Sequence, residues 1–284
     1  VVARHLSQGA IWFNISQSGH DPKQVKEEQK MTLKYSTGLR DFLQRDGGMK
    51  RALHNGVFKI YSGSAPADAD AAVTGTLLCT VSNASGALTR EVLATGTVEL
   101  TGSGGQVDTL TVNGIEIMGE VVVYSTDLTT TAALVAAAIN KNLSNPDYTA
   151  TSSGAVITIS ALPNTGTQPN GYTVASTQSG GTLGDTPANM SGGVAAVNGL
   201  PFASVTAGAL TKSGVWSGVN AATGTAGYFR FESTATDAGG SSTLLKRIQG
   251  TCGTSGADYN MSSTSLTSGA THTIDTFTLT LPAS

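Results

Sequence analysis

At 284 residues the chain can hold one large or two ordinary domains, yet only 12% of its residues are charged, about half the usual share, so Thr, Ser and Gly must carry much of its surface. The formal charge of −3 hides an asymmetry: residues 1–56 hold nine of the sixteen Lys and Arg against five acids, the remainder seven against fourteen. No aromatic residues interleave with Lys23, Lys26 and Lys30, which argues against a nucleic-acid platform, and no apolar run is long enough to span a bilayer.

Residues 1–30 open with a short apolar run, Ala10 to Ile15, and turn polar through GHDPKQVKEEQK. They lack a small-residue cleavage pattern and read as an N-terminal extension, because Met31 begins a stretch, MTLKYSTGLRDFL, that would make a natural start. From Ser36 the spacing turns helical: Leu39, Phe42 and Leu43 fall on one face, with Ser36 or Thr37 available as N-cap. Gly47-Gly48 interrupts it, and Met49, Ala52 and Leu53 form a second short turn that Asn55-Gly56 stops. Alternation of apolar and polar residues then predicts strands over Val57 to Tyr61 and Leu77 to Val81, joined by a turn-rich segment, Ser62 to Ala72. Asp68 and Asp70 alternate like the start of a calcium loop, but the glycine and closing Glu of such a loop are missing, so a turn is expected.

Between Ala94 and Gly193 the chain reads as a self-contained unit. TGTVELTG, DTLTVNGIEIM and EVVVYST are strand-like, and Asn113-Gly114 is a strong tight-turn signal. DLTTTAALVAAAINKNL predicts a helix capped by its Thr cluster and ended by Asn145-Pro146. YTATSSGAVITISA predicts a hairpin, PNGYTVAST a further strand, and SGGTLGDTPANMSGGV a Gly-rich exit. Closing strands are predicted over Gly227 to Glu232, Thr243 to Ile248, Asp258 to Met261 and Thr273 to Leu281, with Trp216, Phe229, Phe231 and Phe277 as core.

The residues assemble no reaction. His5, His20, His54 and His272 lie in separate segments without metal-ligand spacing. His272 and Asp275 could join a serine in a triad, but there is no G-x-S-x-G elbow, and Asp237, Asp258 and Glu232 could pair as glycosidase carboxylates only if a groove gathered them. Cys79 and Cys252 lack CxxC spacing; they are either buried free thiols or one disulfide. No catalytic, cofactor-binding or metal-binding residue is assigned.

Three stretches carry a resemblance. VFKIYSGSAPADADAAVTGTLLCTVS, then ALTKSGVWSGVNAATGTAGYFRF, then QGTCGTSGADYNMSSTSLTSGATHTIDTFTLTLPA are similar to a group of small proteins in tailed-bacteriophage structural-gene clusters. That pattern covers residues 31–93 and 194–283. The resemblance implies a virion structural protein, non-enzymatic, most simply a capsid decoration or cement protein. The expected fold is mainly β: a β-sandwich over 31–93 and 194–284, interrupted by a small α+β domain over 94–193, with residues 1–30 as an extension. The expected partners are the major capsid protein or other virion proteins and further copies of the chain, without membrane or nucleic acid. The alternative is a tail, neck or fibre component whose inserted domain binds a host surface, presenting Tyr124, Tyr148 or Tyr172.

Overall fold

The structure is a computed structural model that describes residues 33–45 and 47–280; the extension 1–30 lies outside them. The fold is mainly β. The chain opens with β1 (Lys34–Tyr35), α1 (Thr37–Arg45), α2 (Met49–Leu53), β2 (Val57–Ser62) and β3 (Leu77–Asn83). The middle of the chain supplies β4 (Thr95–Thr101), β5 (Gln106–Val112), β6 (Ile115–Glu116), β7 (Val122–Val123), α3 (Leu128–Lys141), β8 (Tyr148–Ser153), β9 (Val156–Ala161), β10 (Val174–Ser179) and β11 (Gly184–Ser191). It closes with β12 (Ala209–Thr211), β13 (Trp216–Val219), β14 (Gly224–Glu232), β15 (Arg247–Gly253), β16 (Tyr259–Asn260), β17 (Ser265–Leu266), β18 (Thr271–Ile274) and β19 (Thr278–Thr280).

The first and last groups build one nine-stranded sheet, ordered β1-β15-β14-β2-β3-β13-β18, with β16 beside β15 and β17 beside β14. Side chains alternate across a strand, so register decides which residues share a face. Phe231 sits opposite Phe58 of β2 and Ile248 of β15, which puts the large apolar residues of three strands together. They pack with Leu39 and Phe42 of α1, Ala52 and Leu53 of α2, and Trp216 in one core. Within it the Phe58 and Phe229 rings stack at 4.6 Å, and Trp216 meets Phe277 at 5.1 Å. The Trp216 indole N–H donates to the carbonyls of Ser213 and Pro201, so its buried polar atom is satisfied. The two-stranded ribbon β12-β19 joins this core through Leu210 and Leu279.

α1 starts where the sequence places its cap. The Ser36 hydroxyl accepts from the Leu39 N–H at 3.2 Å, and the Asp70 carboxylate accepts from both the N–H and hydroxyl of Thr37. In the middle segment two four-stranded sheets, β10-β5-β6 with β7 and β11-β4-β9-β8, enclose a second core with α3. That core draws on residues between Ala94 and Met190, and the first on residues between Leu39 and Cys79 to Val81 and again from Leu200 to Ile274. The two crossings between them run side by side, bridged at Thr89 to Val197 and at Val92 to Val194.

Several local expectations are corrected. The Gly-rich exit is an eight-residue strand, β11, paired to β4; it sits at the sheet edge, where Pro187 costs no ladder bond. Asp127, not the Thr cluster, caps α3, its carboxylate accepting from the Thr130 N–H at 2.7 Å. EVVVYST forms only the two residues of β7. Thr243 to Lys246 precede β15 rather than belonging to it, because the Ser242 hydroxyl accepts from the Leu244 and Leu245 N–H groups and turns the chain, leaving Leu244 83% exposed. The predicted last strand is two, β18 and β19, on different partners. Asn113-Gly114 does make the tight turn, both residues at positive φ.

Candidate functional site

The alternation that builds the apolar core also builds its opposite. Lys59 and Tyr61 of β2, Tyr228, Arg230 and Glu232 of β14, and Arg247 and Gln249 of β15 share the other face of the large sheet. Water does not reach most of this face: Arg230, Glu232, Arg247 and Gln249 have no exposed surface. Two loops cover it. Carbonyls of Pro66, Ala69 and Ala71 from the first loop accept from Gln249, Arg247 and Arg230 respectively. Asp237 from the second meets Arg247 with both carboxylate oxygens, at 2.6 and 2.7 Å. Burial alone would raise the Asp237 carboxyl, but the Arg247 fork and the Gly239 N–H outweigh it and hold the group below its ordinary range.

Glu232 receives Lys59 at 2.8 Å and Arg90 at 2.6 Å on one oxygen, while its other oxygen is buried without a partner among the described residues. Among the described residues no carboxylate pairs directly with Arg230. Its Nη2 donates to Gln249 and its Nε has no partner among the described residues. Burial, and then Arg247 beside it, lower its basicity. Glu232 and Asp237 are thus internal counter-ions rather than a catalytic pair facing a groove, and Asp258 is elsewhere, its carboxylate accepting from the N–H and hydroxyl of Thr251. Sequence reading did not mark Arg230, Arg247 or Gln249. The signal was present in K-I-Y, Y-F-R-F-E and R-I-Q, where every second residue is polar.

His272 contacts the Tyr259 hydroxyl at 2.9 Å and, being half-buried, is shifted below its ordinary value by partial loss of solvent. His54 accepts from the Phe202 N–H through Nδ1 and is lowered in the same way. Asp68 accepts from the Ala71 N–H and closes a turn. Cys79 and Cys252 are free thiols, pushed up by burial to about 11 and about 12. Among the described residues no cluster of His, Cys, Asp and Glu could hold a metal, and no helix is long and apolar enough to cross a membrane.

A buried carboxylate joins the two cores. Glu91 accepts from the Asn164 and Gly166 N–H groups, at 2.9 and 3.0 Å, and from the Thr234 hydroxyl at 2.7 Å. Asn164 in turn reaches back, its amide donating to the Arg51 carbonyl and its Oδ1 accepting from Asn55.

Among the described residues the middle segment forms a partly open cleft of about 320 Å³ between the β5-β6 turn, the α3-β8 connection and the 161–172 loop. Asn113, Asp147, Tyr148, Gln168, Pro169 and Tyr172 line it. Of the three tyrosines expected on an exposed face, Tyr148 is buried in the core, and Tyr124 and Tyr172 are half-buried against it; Tyr148 and Tyr172 line this cleft. No family model, curated protein or solved structure matches the chain.

Proposed function

We propose that this chain is a non-enzymatic structural protein of a tailed-phage particle, a decoration or cement protein that lies on the capsid lattice as a homo-oligomer and stabilises the head. The observation that carries the reading is how the chain uses the segment IYSGSAPADADA from the first of the three resembling stretches. Pro66, Ala69 and Ala71 present carbonyls to the charged layer under the sheet, and Asp70 caps α1. In the third stretch Asp258 holds Thr251 and joins β15 to β16. The motif residues serve the architecture, as those of a scaffold do, and the depression that Asp68, Asp70 and Ala71 line with Ser241, Ser242 and Thr243 is wide open to solvent.

In this role the chain acts through interface rather than chemistry. Many weak contacts, repeated over a lattice, sum by multivalency, so a modest area per copy suffices. The partner is the major capsid protein or a neighbouring virion protein, and the place of action is the assembled particle. Quantitative mass spectrometry of purified virions tests this. Hundreds of copies in fixed ratio to the major capsid protein are expected. A handful per particle would place the chain in the neck or fibres, and its absence from particles would refute the assignment.

A further inference from the structure

The cleft of the middle segment has a lining whose chemistry can be read. Among the described residues its ionisable groups are Asp147 and two phenols, with no Lys, Arg or His. A phosphate, a carboxylate or a nucleic-acid backbone would therefore meet no counter-charge. The polar groups are of the kind that both donate and accept: the amides of Asn113 and Gln168 and the hydroxyls of Tyr148 and Tyr172. None of these four makes a side-chain hydrogen bond to another described residue. Tyr148 is only 3% exposed and lines the cleft, and its hydroxyl is not among the fully buried polar atoms left without a partner. Burial, and then Tyr172 beside it, raise that phenol, so it stays neutral and able to donate.

The apolar part of the lining is made of rings and branched side chains, Pro169, Tyr172 and Ile115 among them. It is also preformed. The Tyr172 N–H donates to Pro169 at 3.0 Å, its carbonyl accepts from Met190 at 3.0 Å, and the Asn113 N–H donates to Thr173 at 2.8 Å, so the wall and the turn above it are tied to the sheets. At about 320 Å³ the space is at the small end of ligand pockets, enough for one ring and not for a folded peptide.

We infer that this cleft is a saccharide-binding site that takes one neutral pyranose ring, with Tyr172 and Pro169 against its C–H face and Asn113, Asp147 and Gln168 around its hydroxyls. A sugar is the ligand class whose surface has both properties at once, an apolar face and a rim of neutral groups that donate and accept. The site does not depend on the particle role proposed above; it would serve a decoration protein and a tail component alike.

The full chain is titrated by ligand-observed NMR and calorimetry with the methyl glycosides of glucose, galactose, mannose, rhamnose, N-acetylglucosamine and N-acetylgalactosamine. Tetramethylammonium chloride and inorganic phosphate serve as the cationic and anionic probes. At least one glycoside is expected to bind with Kd on the order of 1 mM or below, and Tyr172→Ala and Gln168→Ala each to weaken it about 10-fold, Gln168→Ala at unchanged melting temperature. Tyr148→Phe, which keeps the buried ring, should weaken it by a smaller factor. Binding of no glycoside overturns the inference. So does binding of tetramethylammonium or phosphate in their place, or glycoside binding that both Tyr172→Ala and Gln168→Ala leave intact.

Discussion

A buried ion pair is weak support for stability but its disruption is costly, because the charge left behind has no water to return to. Arg247 and Asp237 are such a pair, and Asp237→Asn is expected to destabilise the chain by about 3–5 kcal/mol in urea unfolding followed by Trp fluorescence. A loss below about 1 kcal/mol would show that solvent reaches the pair in solution. The same carboxyl sets an acid limit. Its folded pKa lies below its ordinary value of 3.8, so its contribution is present above that value and is lost as pH falls through the folded pKa. Wild-type stability should therefore drop below about pH 4, and this part of the drop should be missing in Asp237→Asn. The layer was only half legible in the sequence. Alternation in V-F-K-I-Y and Y-F-R-F-E says that the two faces differ, but it cannot say whether the polar face meets water or a loop. The loops that cover it begin 63 and 233, far apart along the chain, and their carbonyls carry no side-chain signal.

At the scale of elements, what the sequence shows best is what local chemistry decides. Ser36 caps α1, Asn113-Gly114 turns, and Phe229 and Phe231 face the core. What it shows worst is pairing that depends on a partner. β11 reads as a loop, since Gly, Pro and Asn disfavour strands, and it is a strand because β4 offers it an edge. Gly227 is similar: a Cβ there would lie 1.8 Å from the Gly63 carbonyl oxygen, so the residue is set by a turn more than a hundred positions away. The cleft is assembled from three separate segments, and no one of them announces it. Since the residues of the two cores do not interleave, replacing 94–193 by a short Gly-Ser linker should leave a chain that still unfolds cooperatively. Near-ultraviolet circular dichroism should retain the signal of the Trp216 and Phe cluster. An unfolded product would show that the middle segment is needed for the rest to fold.

For the whole molecule, the relation between the two cores rests on few groups. Glu91 is the principal one among the described residues, since its carboxylate accepts from both sides. Glu91→Ala orphans the part-buried N–H groups of Asn164 and Gly166, at a cost of about 1 kcal/mol confined to the junction. Amide hydrogen exchange is expected to quicken at residues 89–92 and 162–166 while the strands of both cores keep their protection, and scattering should report a broader distribution of shapes. Uniform loss of protection would show instead that the junction and the cores unfold as one.

The charged layer beneath the large sheet has a consequence for the medium around it. Dissolved ions weaken attraction between charges that share solvent with them, and within about 10 Å at 0.1 M ionic strength they do so strongly. Lys141 and Glu120, an exposed pair, are open to such screening. Arg247, Asp237 and Glu232 are not, because counter-ions cannot enter where water is excluded. The electrostatic part of this body is carried inside it, and dilute fluid and brine meet nearly the same protein.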